Sequence, residues 1–332
     1  ERAAALSAET EAIVHFKRAL QLTGTWPDSS KRKQRELALQ IALGNALTRV
    51  RGYSSEETGA AFGRARVLCR QLGETDHLFT ILVGLEGYHG ARGEFDRALA
   101  LAEELIDLAE RRNLQIMVDH TFLFTGAVRK IKQLVDENAL GPLYYYDSTR
   151  VNLGLFQHDV NVLWDLAPHD LSIMDYLIGM EPELVVATGG AHVNSLENVA
   201  YLTVYFPNSV LAHINVNWLS PVKVRTTLVG GQKKMLVWND LDPAEKVRVY
   251  DKGAEVRTEQ GVHQALVSYR TGDMWAPKIE ELEALHLETR YFLDCIKSNS
   301  KPFNDGNAGL RVVRILEAAE QSLNQHKEIA LA

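Results

Sequence analysis

Asp165 and His169 stand four residues apart in the run Asn161-Val-Leu-Trp-Asp-Leu-Ala-Pro-His-Asp170, at the start of a predicted helix. That spacing puts both side chains on one helical face. An imidazole titrates near working pH, so it can take or give a proton there. A carboxylate one turn earlier can orient or polarise it. Taken alone, the pair reads as a helix N-terminal cap and a satisfied histidine. Other chemistry-bearing residues are scattered. His158, His192, His213, His263 and His286 show no ligand spacing such as H-E-x-x-H, which argues against a metal. Ser172 and Ser195 lack the G-x-S-x-G context of a hydrolase nucleophile. Trp218, Trp238 and Trp275 read as sheet-face or interface anchors.

The elements that must position the pair lie in a chain of 332 residues, long enough for two cores. A net charge of −7 argues against a nucleic-acid or membrane-surface binder. Cys69 and Cys295 fall in different halves and read as free buried thiols. No apolar run is long enough to span a bilayer. The opening Glu-Arg-Ala-Ala, without an initiator methionine or signal peptide, reads as an internal fragment of something longer. A reducing, cytoplasmic setting is expected.

Local patterns change near residue 113. Before it the periodicity is helical throughout, with breaks at Gly24, Gly52, Gly73 and Gly93. Gly52 and Gly93 lie 41 positions apart, each between two predicted helices. Gly93-Glu-Phe-Asp-Arg-Ala98 is similar to the inter-helix turn of a tetratricopeptide repeat, although the spacing exceeds the usual ~34 residues. After residue 113 a strand is predicted over 114–120, a helix over 126–139, a strand over 144–152 and a helix over 163–178. Strands follow over 183–192, 198–206, 209–218, 223–229, 233–238 and 246–251. The short turns Pro207-Asn208 and Gly230-Gly231 predict antiparallel hairpins. Two amphipathic helices close the chain. The expected fold is α+β. Tetratricopeptide-like repeats (1–112) are joined through a shared helix to an α/β domain (113–332) with a large open antiparallel sheet.

Two resemblances sharpen this. Glu36-Leu-Ala-Leu-Gln-Ile-Ala-Leu-Gly44, Gly52-Tyr53, Arg64-Ala65-Arg66 and Gln71-Leu72-Gly73-Glu74 look like the helical-repeat segment of bacterial predicted ATPases. No Walker A loop accompanies them, so the resemblance implies a protein-interaction surface. Residues within 101–326 resemble the glucose–fructose oxidoreductase/inositol dehydrogenase (Gfo/Idh/MocA) family. The carriers are Leu105 to Glu110, Val118-Asp119-His120-Thr121, Gly141-Pro142, Asn161 to Asp170, Phe292 to Ile296 and Gly309 to Val313. The central segment is similar to that of members acting on nucleotide sugars and related sugar derivatives.

This second resemblance implies NAD(P)-dependent oxidation of a sugar hydroxyl. His169 would be the base and Asp165 would orient it, with Arg150 and Asn161 contacting hydroxyl or phosphate groups. A complete member carries G-x-G-x-x-G and Glu-Lys-Pro motifs, and this sequence has neither. Residues 96–112 and 114–120 read as the last helix and last strand of a truncated Rossmann domain. The expectation is therefore a degenerate or split oxidoreductase that binds no cofactor as a chain alone, although the family uses NAD or NADP. Its expected partners are a sugar or nucleotide sugar, a second copy of the chain through the sheet, and a protein on the helical repeats. The alternative is an interaction scaffold, with the repeats as its binding surface.

Overall fold

The computed structural model describes all residues except Glu1, Thr75, Leu155, His158, Asp159, 258–265 and Ala332. The chain divides into two compact units, Glu1–Ile116 and Met117–Ala332.

In the first unit, glycines and capping residues cut the helical pattern into α1 (Arg2–Gly24), α2 (Ser30–Arg51), α3 (Glu56–Leu72), α4 (Leu78–Ala91) and α5 (Phe95–Arg112). Ser29 Oγ accepts the Arg32 amide and starts α2. Gly73, at φ 66°, ends α3 in a left-handed conformation that costs glycine little. Each helix packs on the next, and α2 also meets α4. Phe62 of α3 explains why two small residues stand in the middle of α2 and α4. A Cβ on Gly44 or Gly84 would lie 2.8 or 2.5 Å from its ring. Leu37, Leu68, Ile81, Leu82 and Leu101 complete that core, with Leu105 and Leu108 against it. The helix α5, expected to serve two cores, is thus placed in the core of the first unit.

The second unit opens on a departure from expectation. Residues 114–120, predicted as the last Rossmann strand, form no strand. A strand needs a neighbour to complete its ladder. Here the Val118 amide instead donates to the Asn304 carbonyl (2.8 Å), and Asn304 Nδ2 donates to the Val118 carbonyl (2.7 Å). A short 3-10 turn, Thr121–Phe124, leads into α6 (Gly126–Asp136), capped by Thr125. Then come β1 (Leu143–Leu153), α7 (Val162–Ile178), β2 (Leu184–Gly190), β3 (Val199–Tyr205), β4 (Leu211–Asn217) and β5 (Leu219–Gly231). Next are β6 (Met235–Asn239), β7 (Val247–Arg257), β8 (Leu266–Trp275), α8 (Ala284–Ser298), α9 (Gly306–Gln325) and β9 (Ile329–Ala330).

These strands make one sheet in the order β8-β7-β6-β5-β1-β4-β3-β2-β9. Every pair is antiparallel except β1–β4, so the strands of 183–251 pair as expected and the one parallel contact comes from β1. The strand β1 occupies the slot between β4 and β5, which follow each other in sequence. It therefore runs parallel to one of them and antiparallel to the other. One face carries Tyr146, Ala200, Leu202, Ile214 and Val216 into a core completed by Leu171 and Met174 of α7 and Ile315 and Leu316 of α9. Of the two expected roles, sheet-face or interface anchor, Trp218 and Trp238 take the first: both are buried in that same core. The other face leaves Tyr201, Tyr205, Leu211 and Leu228 exposed.

Candidate active site

The helix α7 starts on Asn161, whose Oδ1 accepts the Leu163 and Trp164 amides at 3.1 and 3.3 Å. Its Nδ2 donates to Glu197 (3.1 Å) and Glu320 (2.8 Å). The buried amide has spent its donors and acceptors on the protein. Asn161 is therefore a helix cap rather than the substrate contact expected of it. Asp165, in the first turn, accepts the Trp218 indole N–H at 3.0 Å. This fixes the carboxylate to the sheet.

One turn further, His169 is exposed. Its imidazole packs against Phe122 with ring centroids 5.1 Å apart. Partial desolvation and then the Arg150 charge lower its pKa; Asp170 opposes this, Arg225 adds a smaller lowering, and Asp165 opposes least. The ring is therefore neutral at neutral pH and able to accept a proton. Asp165 influences it through charge, while its own hydrogen bond is accepted from Trp218.

Arg150 is also not the free substrate contact that was expected. It is buried, and it donates from Nε and Nη2 to Asp170 at 2.5 and 3.3 Å. Ser148 Oγ donates to the same carboxylate at 2.6 Å. The Arg150 guanidinium lies 4.7 Å from the Phe122 ring centre, and that of Arg225 lies 6.0 Å from it. Phe122 thus gathers His169, Arg150 and Arg225 around one ring. Of the four expected residues, the structure brings His169, Asp165 and Arg150 together and leaves Asn161 behind the helix start.

Sequence reasoning missed Phe122, His120, Asp170, Arg225 and Glu288. Burial, then the charge of His169, pulls the His120 pKa down to about 4. His120 Nε2 is enclosed without a hydrogen-bond partner. The same residue lines a cleft of about 340 Å³ with Ser172, Asp175, Tyr176, Asn304 and Arg311. Glu288 of α8 is buried beside Asp119, and its carboxyl pKa is pushed up to about 7 by burial and then by that neighbour. Among the described residues no cluster could hold a metal ion. His158 and His263 lie outside the described residues. Cys69 and Cys295 are free and buried. Among the described residues no helix is long and apolar enough to cross a membrane.

Residues 128–237 match the family model of the GFO/IDH/MocA C-terminal domain. The chain is also similar to the UDP-N-acetylglucosamine 3-dehydrogenase of Acidithiobacillus ferrooxidans, with 26% identity over 216 residues. That stretch covers 64% of this chain and 63% of the enzyme, so the chain spans under two thirds of that relative's length. The solved structure of this dehydrogenase superposes with a TM-score of 0.57 at 20% identity, covering 80% of this chain and 88% of the other. Levoglucosan dehydrogenase in complex with NADH and levoglucosan gives a TM-score of 0.58 at 15% identity, covering 77% of each chain. An Agrobacterium radiobacter oxidoreductase in complex with NAD+, L-tartaric acid and magnesium gives 0.57 at 14% identity, covering 81% of this chain and 88% of the other.

These neighbours correct the expectation of a chain without a cofactor. The fold is shared with structures solved with NAD+ and with NADH bound. The donor set fits the reacting end of such a nucleotide. A neutral, exposed imidazole stands beside an aromatic ring, with the enclosed Arg150 guanidinium behind it.

Proposed function

We propose that the second unit carries the substrate site of an NAD(P)-dependent sugar or nucleotide-sugar oxidoreductase, with His169 as the base for the sugar hydroxyl. The observation that carries this reading is the exposed His169 imidazole, held neutral by partial desolvation and the Arg150 charge. A nicotinamide nucleotide, when bound, supplies the hydride acceptor; His169 and Phe122 are the residues that would meet its nicotinamide end. Asp165, tied to Trp218, holds the start of α7 and adds a negative charge behind the imidazole. Arg150 and Asp170 form the fixed floor that keeps Phe122 against His169. The similarity to a UDP-N-acetylglucosamine dehydrogenase supports a sugar substrate and favours this reading over a scaffold.

The test is the full chain with NAD+ or NADP+ and UDP-N-acetylglucosamine, followed by nicotinamide absorbance and by NMR of the histidine rings. His169→Gln should lower turnover about a hundredfold, the lower range for a general base, with the urea midpoint little changed. No turnover and no ring shift with any sugar would refute the reading. We also propose that the exposed sheet face bearing Tyr201, Tyr205 and Leu211 mates with a second copy of the chain. Light scattering should then give a dimer or larger, and a monomer at tens of micromolar, on the order of a typical working concentration, would count against it.

A further inference from the structure

Arg225 is the cation of the site whose donors the protein does not use up. It stands directly across from Arg150 in the β1–β5 register, so both side chains leave the same face of the sheet. The two then part company. Arg150 is enclosed, with a side chain 6% exposed, and both its donor positions facing Asp170 are engaged. Arg225 is 34% exposed and meets Asp240 only at 3.5 Å. Asp240 in turn faces Lys246 at 3.8 Å, so one carboxylate stands between two cations. That trio keeps a net positive charge in a chain whose overall charge is −7. Lys223, exposed and two residues before Arg225 on β5, adds a further cation on the same side of the alternation.

The position of this excess charge gives it meaning. The Arg225 guanidinium reaches the Phe122 ring that His169 touches from another side, and its charge is felt at the imidazole. A ligand group that meets His169 has Arg225 within its own length. A guanidinium offers a planar fork of donors that matches a carboxylate or phosphate with two parallel hydrogen bonds. A neutral hydroxyl would leave the excess positive charge uncompensated.

We infer that Arg225 is a specificity-determining residue that selects sugars carrying an anionic oxygen group, a carboxylate or a phosphate, beside the hydroxyl presented to His169. This rests on the proposed sugar site, and it assigns that site's acidic-ligand preference to one side chain. Arg150, enclosed by Asp170, positions Phe122 and takes no part in the selection.

The experiment titrates the full chain with D-glucose, D-glucuronate, D-glucose 1-phosphate and inorganic phosphate, reading the His169 ring signals by NMR. The expected result is that at least one anionic sugar shifts His169 at concentrations tenfold or more below those needed for glucose. Arg225→Gln should collapse that ratio to within about twofold, and Arg225→Lys should restore part of it. Preference for glucuronate identifies a carboxylate ligand, and preference for glucose 1-phosphate a phosphate ligand; either supports the inference. Equal shifts by glucose and both anionic sugars would overturn it while leaving the proposed sugar site standing. So would a preference that survives in Arg225→Gln, or inorganic phosphate matching glucose 1-phosphate in affinity. If no sugar of any charge shifts His169, the sugar site itself is refuted and the inference falls with it.

Discussion

Asp170→Ala should lower the stability of the second unit by about 3–5 kcal/mol. The carboxylate accepts from Ser148 Oγ and from two nitrogens of Arg150, and both members of the ion pair are almost wholly enclosed. The Asp170 carbonyl also accepts the Tyr146 hydroxyl at 3.2 Å, which the substitution leaves in place. Removing the side chain strands a guanidinium among apolar neighbours, and the desolvation of that charge is then uncompensated. Removing both charges should cost far less, because neither is left unpaired. Arg150→Met combined with Asp170→Ala should therefore recover most of the loss, with a coupling energy well above the scatter of independent sites. Urea unfolding followed by tryptophan fluorescence reads this well, since Trp164, Trp218, Trp238 and Trp275 all lie in the second unit. A single-variant loss below about 1 kcal/mol would mean that the pair is hydrated and does not hold Phe122 in place.

The same pair shows why the site was only partly legible in the sequence. The Asp165–His169 spacing was visible because both residues sit on one helix. Arg150 was visible as a candidate, but its partner lies 20 positions away, and no local pattern joins them. Arg225 could not be placed without the strand register, and β1 inserts between β4 and β5 in a way that no hairpin turn announces. Asn161 could have been read correctly, since asparagine just before a helix is a preferred cap. Trp218 continues the inward alternation of Ile214 and Val216, so its burial was also written in the sequence. The strand expected over 114–120 failed for the opposite reason. Its composition suits a strand, but strand formation depends on neighbours that composition does not supply. The segment instead leads into the turn bearing Phe122, held by Asn304.

The second unit should also show an unusual pH profile, because His120 of that segment and Glu288 of α8, which packs beside it, pull in opposite directions. His120, facing His169, Asp119 and Asp175, has a folded pKa of about 4 against 6.5 in the free side chain. The unfolded chain therefore binds the extra proton first, and this contribution to stability is lost as pH falls from 6.5 towards 4. Glu288, facing Asp119, Thr121 and the His120 amide, has a folded pKa of about 7 against 4.5. The folded chain keeps that proton longer, so its contribution is lost as pH rises from 4.5 through 7. Each shift corresponds to at most about 3 kcal/mol, and between pH 4.5 and 6.5 the two slopes largely cancel. Substituting either group should expose the other. Glu288→Gln should match the parent near pH 4 and exceed it by up to about 3 kcal/mol at pH 8, where the parent encloses a carboxylate beside Asp119. His120→Gln should match the parent at pH 8 and exceed it by a similar amount near pH 4. Urea midpoints measured across this range decide the matter. If Glu288→Gln gains nothing at pH 8, the carboxylate is accommodated in its charged form, and the opposing-group account of the segment is wrong.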